Sequence, residues 1–190
     1  MDDDSAGGAG GRDGAERLGP LFEDLEQQAA GLHLAERDAE LADRARGEYA
    51  AVTFASRIHA SLAHEVALTL VDGQVVEGTL TQAGVDWCSV VKPEGQAVSL
   101  VRLDAVAAAY GLSSRAVPEA ARPAVARLSF GTALHRLAVD HDEVLLQLAS
   151  GTSLRVRVLR IGADFVEVES AGPAQAPAVV PFGALIAVRV

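Results

Sequence analysis

The five histidines and the single cysteine have the widest chemical reach in this chain of 190 residues. His59 and His135 occupy matching places in the surrounding hydrophobic pattern, as do His64 and His141. A small cation needs three or four donors converging on one point, which favours ligands at i, i+4 on a helix or clustered with cysteines. His59 and His64 stand five apart, no Cys-x-x-Cys occurs, and Asp140-His141-Asp142-Glu143 reads as a solvated turn before a strand. No metal ligand and no cofactor-binding residue follows from this spacing. Cys88 lies beside Trp87 with only Lys92 near it in sequence, so nothing draws its thiol toward the nucleophilic thiolate.

Asp86 and Asp164 invite a paired-carboxylate reading because they match each other in context. Each, however, precedes a strand at a turn, where aspartate characteristically bonds its own backbone. There is no G-x-S-x-G, no phosphate loop and no dinucleotide fingerprint, so no catalytic residue is assigned and a non-enzymatic role is expected. Arg155, Arg157 and Arg160 in RVRVLR form the one basic cluster, with Arg155 and Arg157 on the same strand face. They are the candidate contacts for RNA or DNA, the alternative to a protein-binding role. With aromatics at only 4% of the chain, stacking platforms for bases are scarce.

These residues are positioned by an internal repeat, the strongest organising signal in the chain. EVALTLVDGQVVEGTLTQAGVDWCSVV (65–91) aligns with EVLLQLASGTSLRVRVLRIGADFVEVE (143–169) at an offset of 78. Glu65, Val66, Leu68, Leu70, Gly73, Gly84, Asp86 and Val90 meet identical residues, and Trp87 meets Phe165. Upstream, Phe54, Ile58 and His59 align with Phe130, Leu134 and His135; downstream, 100–109 resembles 179–188. The period of two in Val66, Leu68, Leu70 and in Val144, Leu146, Leu148 predicts half-buried strands with those side chains inward. Asp72-Gly73 predicts a tight hairpin, since glycine accepts the positive φ such turns need. Five short strands in about fifty residues leave no room for crossover helices and favour a bent antiparallel barrel.

The run of helix, strand, Asp-Gly turn, long bent strand and Gly-x-Asp-aromatic resembles the opening of an Sm-like barrel. The resemblance spans roughly 53–110 and again 129–190 and implies two tandem small barrels, each preceded by a helix. The whole arrangement is also similar to uncharacterised actinobacterial proteins of about this size, which carry no activity over. Sm-family RNA sites use an asparagine in the third strand and an Arg-Gly pair between the last two. Here Cys88-Ser89 and Val166-Glu167 stand at the first place, and Val101-Arg102-Leu103 and Pro181-Phe182-Gly183 near the second. The resemblance therefore implies the barrel without the RNA pocket; His59 and His135, read from their places on the helices, are expected to cap or hydrogen-bond within the junction of helix and barrel.

The front of the chain differs in kind. Residues 1–50 hold 13 acids and 5 arginines, a balance of −8 out of a net −10, which repels phosphate. Residues 1–19, acidic and glycine-rich, are expected to be a disordered tail rather than a secretory signal. Residues 20–52 carry a thin apolar stripe, with Phe22, Leu25, Leu32 and Leu41 as candidate partner-binding residues on a helical arm. The expected organisation is mainly β within the α+β class: tail 1–19, arm 20–52, first helix and barrel 53–112, linker 113–128, and second helix and barrel 129–190. One cysteine and no apolar run long enough to span a bilayer point to a cytoplasmic protein without disulfides. Its expected role is protein interaction, self-association or assembly.

Overall fold

The computed structural model describes residues 37–38, 40–93, 97–170 and 176–190. The chain forms two compact units, 1–51 and 52–190. In the first, helix α1 runs over 40–50. Its apolar residues Leu41 and Tyr49 are exposed, and Arg46 donates to Asp43 one turn earlier. Phe22, Leu25 and Leu32, and the tail before them, lie outside the described residues.

In the second unit Thr53 caps α2 (Phe54–Ala60). The Ser56 amide donates to the Thr53 hydroxyl and the Thr53 amide to the Ser56 hydroxyl, so two otherwise unpaired donors are satisfied reciprocally. Ile58 drops from this helix fully into the core. Five strands follow: β1 (Glu65–Leu70), β2 (Val75–Ala83), β3 (Trp87–Val91), β4 (Val98–Arg102) and β5 (Val106–Tyr110). Then come α3 (Phe130–Asp140), β6 (Val144–Leu148), β7 (Ser153–Ile161), β8 (Phe165–Ser170), β9 (Ala178–Pro181) and β10 (Leu185–Arg189). The alternation read from the sequence puts Val66, Leu68, Leu70, Val144 and Leu146 in the core, with Leu148 half-buried against it.

The two sets of strands pair in the same register. Leu68 faces Val76 in the first and Leu146 faces Leu154 in the second, the same pair 78 residues on. The register slips between Leu80 and Gln82 on β2 and between Val158 and Arg160 on β7, again at one offset. At the β1–β2 turn Gly73 takes φ +85°, and Gly151 takes +83° at the β6–β7 turn. Gly84 is fixed by crowding instead: a Cβ there would come within 2.1 Å of the Trp87 indole nitrogen.

One expectation requires correction. Two separate closed barrels are not formed: all ten strands join one open antiparallel sheet, in the order β5-β1-β2-β3-β4-β10-β6-β7-β8-β9. The physical reason is the edge of β10. Pairing with β6 satisfies one side of that strand, and a single arginine is poor protection for the other. That side pairs with β4 through Ala187–Val101, Val188–Leu100 and Arg189–Ser99, and Val98 and Val190 exchange hydrogen bonds of 3.1 and 3.2 Å. Side chains cross the same joint. Ile186 and Ala187 complete the core of the first strand set, while Trp87 and Leu100 pack into that of the second.

The segment 113–128 is pinned by backbone contacts. The Arg57 guanidinium donates to the Ser113 carbonyl at 2.8 and 3.0 Å, the Val117 amide donates to Ser56, and Trp87 Nε1 donates to Leu128 at 2.9 Å. Trp87→Ala is therefore expected to cost about 3–5 kcal/mol in urea denaturation. Trp87→Phe removes the indole donor while the Leu128 carbonyl keeps its bond from the Val85 amide, so it should cost about 0.5–1.5 kcal/mol. A near-neutral alanine variant would contradict this placement.

Candidate functional site

The residues with chemical reach are dispersed. Cys88 is fully buried on β3, and burial pushes its thiol up to about 12, so no thiolate forms near neutral pH. His59 is buried, with Nε2 3.2 Å from the Gly84 carbonyl. His135, its counterpart on α3, is instead exposed along a groove, and His64 and His141 are also exposed. Among the described residues, no group of three His, Cys, Asp or Glu side chains could hold a metal ion.

The aspartates also part company. Asp86 does not bond its own turn through its carboxylate: Oδ1 accepts from the Phe130 amide at 2.9 Å, at the first turn of α3. Asp164, at the matching turn, is exposed. The turn itself is held by main chain in both places, with the Leu103 amide donating to the Asp86 carbonyl and the Phe182 amide to that of Asp164. Above the Asp86 contact, the Arg102 guanidinium lies 5.8 Å over the Phe130 ring. Asp86 and Arg102 thus bind α3 to the first strand set, a role that sequence matching alone did not reveal.

The arginines of RVRVLR lie along β7. Arg155 and Arg157 are exposed; Arg157 is registered opposite Glu169, and Arg160 makes a 2.7 Å ion pair with Glu167. Basic and acidic side chains therefore alternate across this ladder, and exposed pairs of that kind contribute about 0–1 kcal/mol each.

What remains unsatisfied is main chain. Among the described residues, β5 pairs only with β1 and β9 only with β8, so each offers one open row of amides and carbonyls. Neither strand carries a charge. Tyr110 on β5 and Val179 on β9 are 64% and 61% exposed, an unusual display of large apolar side chains on unprotected edges. A groove of about 600 Å³ runs beside β5, lined by Glu65, Glu77, Lys92, Tyr110 and Gly111. A second, of about 700 Å³, lies between α3 and β7, with Thr132, His135, Val139 and Leu159 on its walls. These edges are the surfaces best built to engage another chain, because strand addition needs open main-chain groups, and the first groove runs alongside β5 while the second lies away from both edges. No helix among the described residues is long and apolar enough to cross a membrane. Comparison with protein-family models and with curated proteins returned no match.

The buried imidazole gives a pH dependence. Burial, then the charge of Arg122, lowers the His59 pKa from its ordinary 6.5, against the opposing bond to Gly84. Below that ordinary value the unfolded chain binds more protons than the folded one, so stability is full above it and falls as pH drops. Thermal unfolding between pH 7.5 and 5.5 should show a lower Tm at acid pH, with a flatter slope in His59→Gln. Equal slopes would rule His59 out as the source.

Proposed function

We propose that this chain is a non-catalytic, cytoplasmic interaction and assembly module made of two tandem Sm-like units that engage partners by strand addition. The observation that carries this reading is the pair of open edges, β5 and β9, uncharged and bearing exposed Tyr110 and Val179. The common registers at an offset of 78 support duplication of one five-stranded unit. The strand order within each half, with its fifth strand beside its first, supports the Sm-like reading. On the acidic arm, Leu41 is exposed on helix α1 and offers a protein partner an apolar side chain rather than a strand edge.

The nucleic-acid alternative draws on Arg155 and Arg157, both exposed on β7. Glu167 and Glu169 on the neighbouring strand oppose it by repelling phosphate. Affinity capture from native lysate, with and without nuclease, separates the two. The expected result is nuclease-resistant capture that is lost in Val179→Lys and Tyr110→Lys. Capture that disappears with nuclease and is untouched by the edge variants would favour the alternative. A labelled oligonucleotide should show no salt-dependent anisotropy change, and a steep one that vanishes in the Arg155→Ala/Arg157→Ala variant would refute the reading.

A further inference from the structure

The groove between α3 and β7 has a twin in the first strand set, and there the chain fills it. Aligning α2 with α3 through Phe54 and Phe130, and β2 with β7 at the offset of 78, pairs Ser56, His59, Gly84 and Val85 with Thr132, His135, Gly162 and Ala163. The latter four all line the open groove of about 700 Å³. The former four all meet the chain's own segment 117–128. The Val117 amide donates to the Ser56 carbonyl at 3.0 Å, and the Val85 amide donates to the Leu128 carbonyl at 3.2 Å. Arg122 lies close enough to His59 for its charge to act on the imidazole, and a Cβ on Gly84 would come within 2.4 Å of the Leu128 carbonyl. Burial follows occupancy: Ser56 and His59 are buried, Thr132 and His135 exposed.

The end of that segment is gripped by its main chain. The Leu128 carbonyl accepts from Val85, and two residues on the Phe130 amide donates to the Asp86 carboxylate. The counterparts are the Ala163 amide and the Asp164 carboxylate, a neighbouring donor and acceptor. Both residues are exposed, and among the described residues neither of these groups has a hydrogen-bond partner.

We infer that the α3–β7 groove binds an extended, proline- and alanine-rich segment of a partner protein, whose main chain accepts from Ala163 and, two residues on, donates to Asp164. The resident of the first groove shows the chemistry required. Pro118 and Pro123 each start a short turn, and the small side chain of Ala126 is buried. Charge agrees: Glu167 neutralises Arg160 on the groove wall, so the uncompensated charge is that of Asp164, while 117–130 sets Arg122 and Arg127 against Glu119. A second copy does not supply such a segment. Its 117–128 is already bound, and 40–50, ahead of its α2, is helical and holds no proline. Phe165 stands where Trp87 gives the first groove a second donor to Leu128, so the partner is held more weakly than the resident. The groove lies away from the strand edges, so this inference and the strand-addition reading fail separately.

An acetylated, amidated peptide of residues 117–132 stands in for the partner and is titrated into the isotope-labelled full chain. The backbone amide signals of Thr132, His135, Gly162, Ala163 and Asp164 should shift saturably. Asp164→Ala, at an exposed side chain, should weaken binding about ten-fold with an unchanged Tm. Phe130→Pro within the peptide removes the amide that Asp164 accepts and should do the same, whereas Val179→Lys in the chain should leave the affinity as it was. Shifts at Ser56, Gly84 and Val85 instead, which mark exchange with the resident segment, would overturn the proposal. So would shifts centred on Tyr110 or Val179, an affinity indifferent to both substitutions, or no shift at about 1 mM peptide.

Discussion

The main-chain ladder between β4 and β10 is the contact on which the rest of the second unit depends. It costs little in sequence terms, because backbone groups pair whatever side chains they carry. Its effect is nevertheless global, since it turns two five-stranded sets into one sheet and brings Ile186 and Ala187 under the first set. In return Trp87 and Leu100 pack beneath the second. Neither core is complete without residues from the other set.

Around that ladder the side chains act as locks rather than as chemistry. Asp86 satisfies an amide of α3 that has no partner within the helix, and Arg102 covers the ring beside it. On the opposite flank Gln147 donates to Asp72 at 2.6 Å and Arg189 to Gln74 at 3.1 Å, tying the β1–β2 turn to the second set. Gln147 is buried with Oε1 unpartnered, so its amide is held by the Asp72 bond alone. Of the residues that invited a chemical reading, Asp86 is committed to holding α3, while His64, His135, His141 and Asp164 are exposed.

Much of the strand pattern was legible because it depends on short-range rules. Period-two apolar runs, an Asp-Gly turn and glycines at crowded bends specify β1 to β3 and β6 to β8 locally. The joint was legible only in part: a last strand guarded by Arg189 alone calls for a partner on its free side, but not for β4 in particular. Strand pairing between residues about 90 apart leaves no side-chain signature, and Val101 or Ala187 would read the same against any neighbour. The carboxylate of Asp86 was misjudged for a related reason, since its partner lies 44 residues away in sequence. His59 and His135 share a local pattern yet differ in burial, because neighbours brought in by the fold, such as Gly84 and Arg122, decide the environment. Of the candidate binding residues, Leu41 proved exposed on α1, while the strand edges emerged only from the topology.

The interlocked cores have a consequence for how the chain is made. β10 leaves the ribosome roughly eighty residues after β4, which at ordinary elongation rates is about 4–16 s. Throughout that interval the first strand set exists on the nascent chain with the β4 edge uncovered and without Ile186 and Ala187 beneath it. Translation speed between the two strands therefore sets how long an incomplete, sticky sheet waits for its closing strand. On a polysome, where neighbouring nascent chains wait side by side, that delay is also the time in which an unfinished β4 can meet the wrong partner.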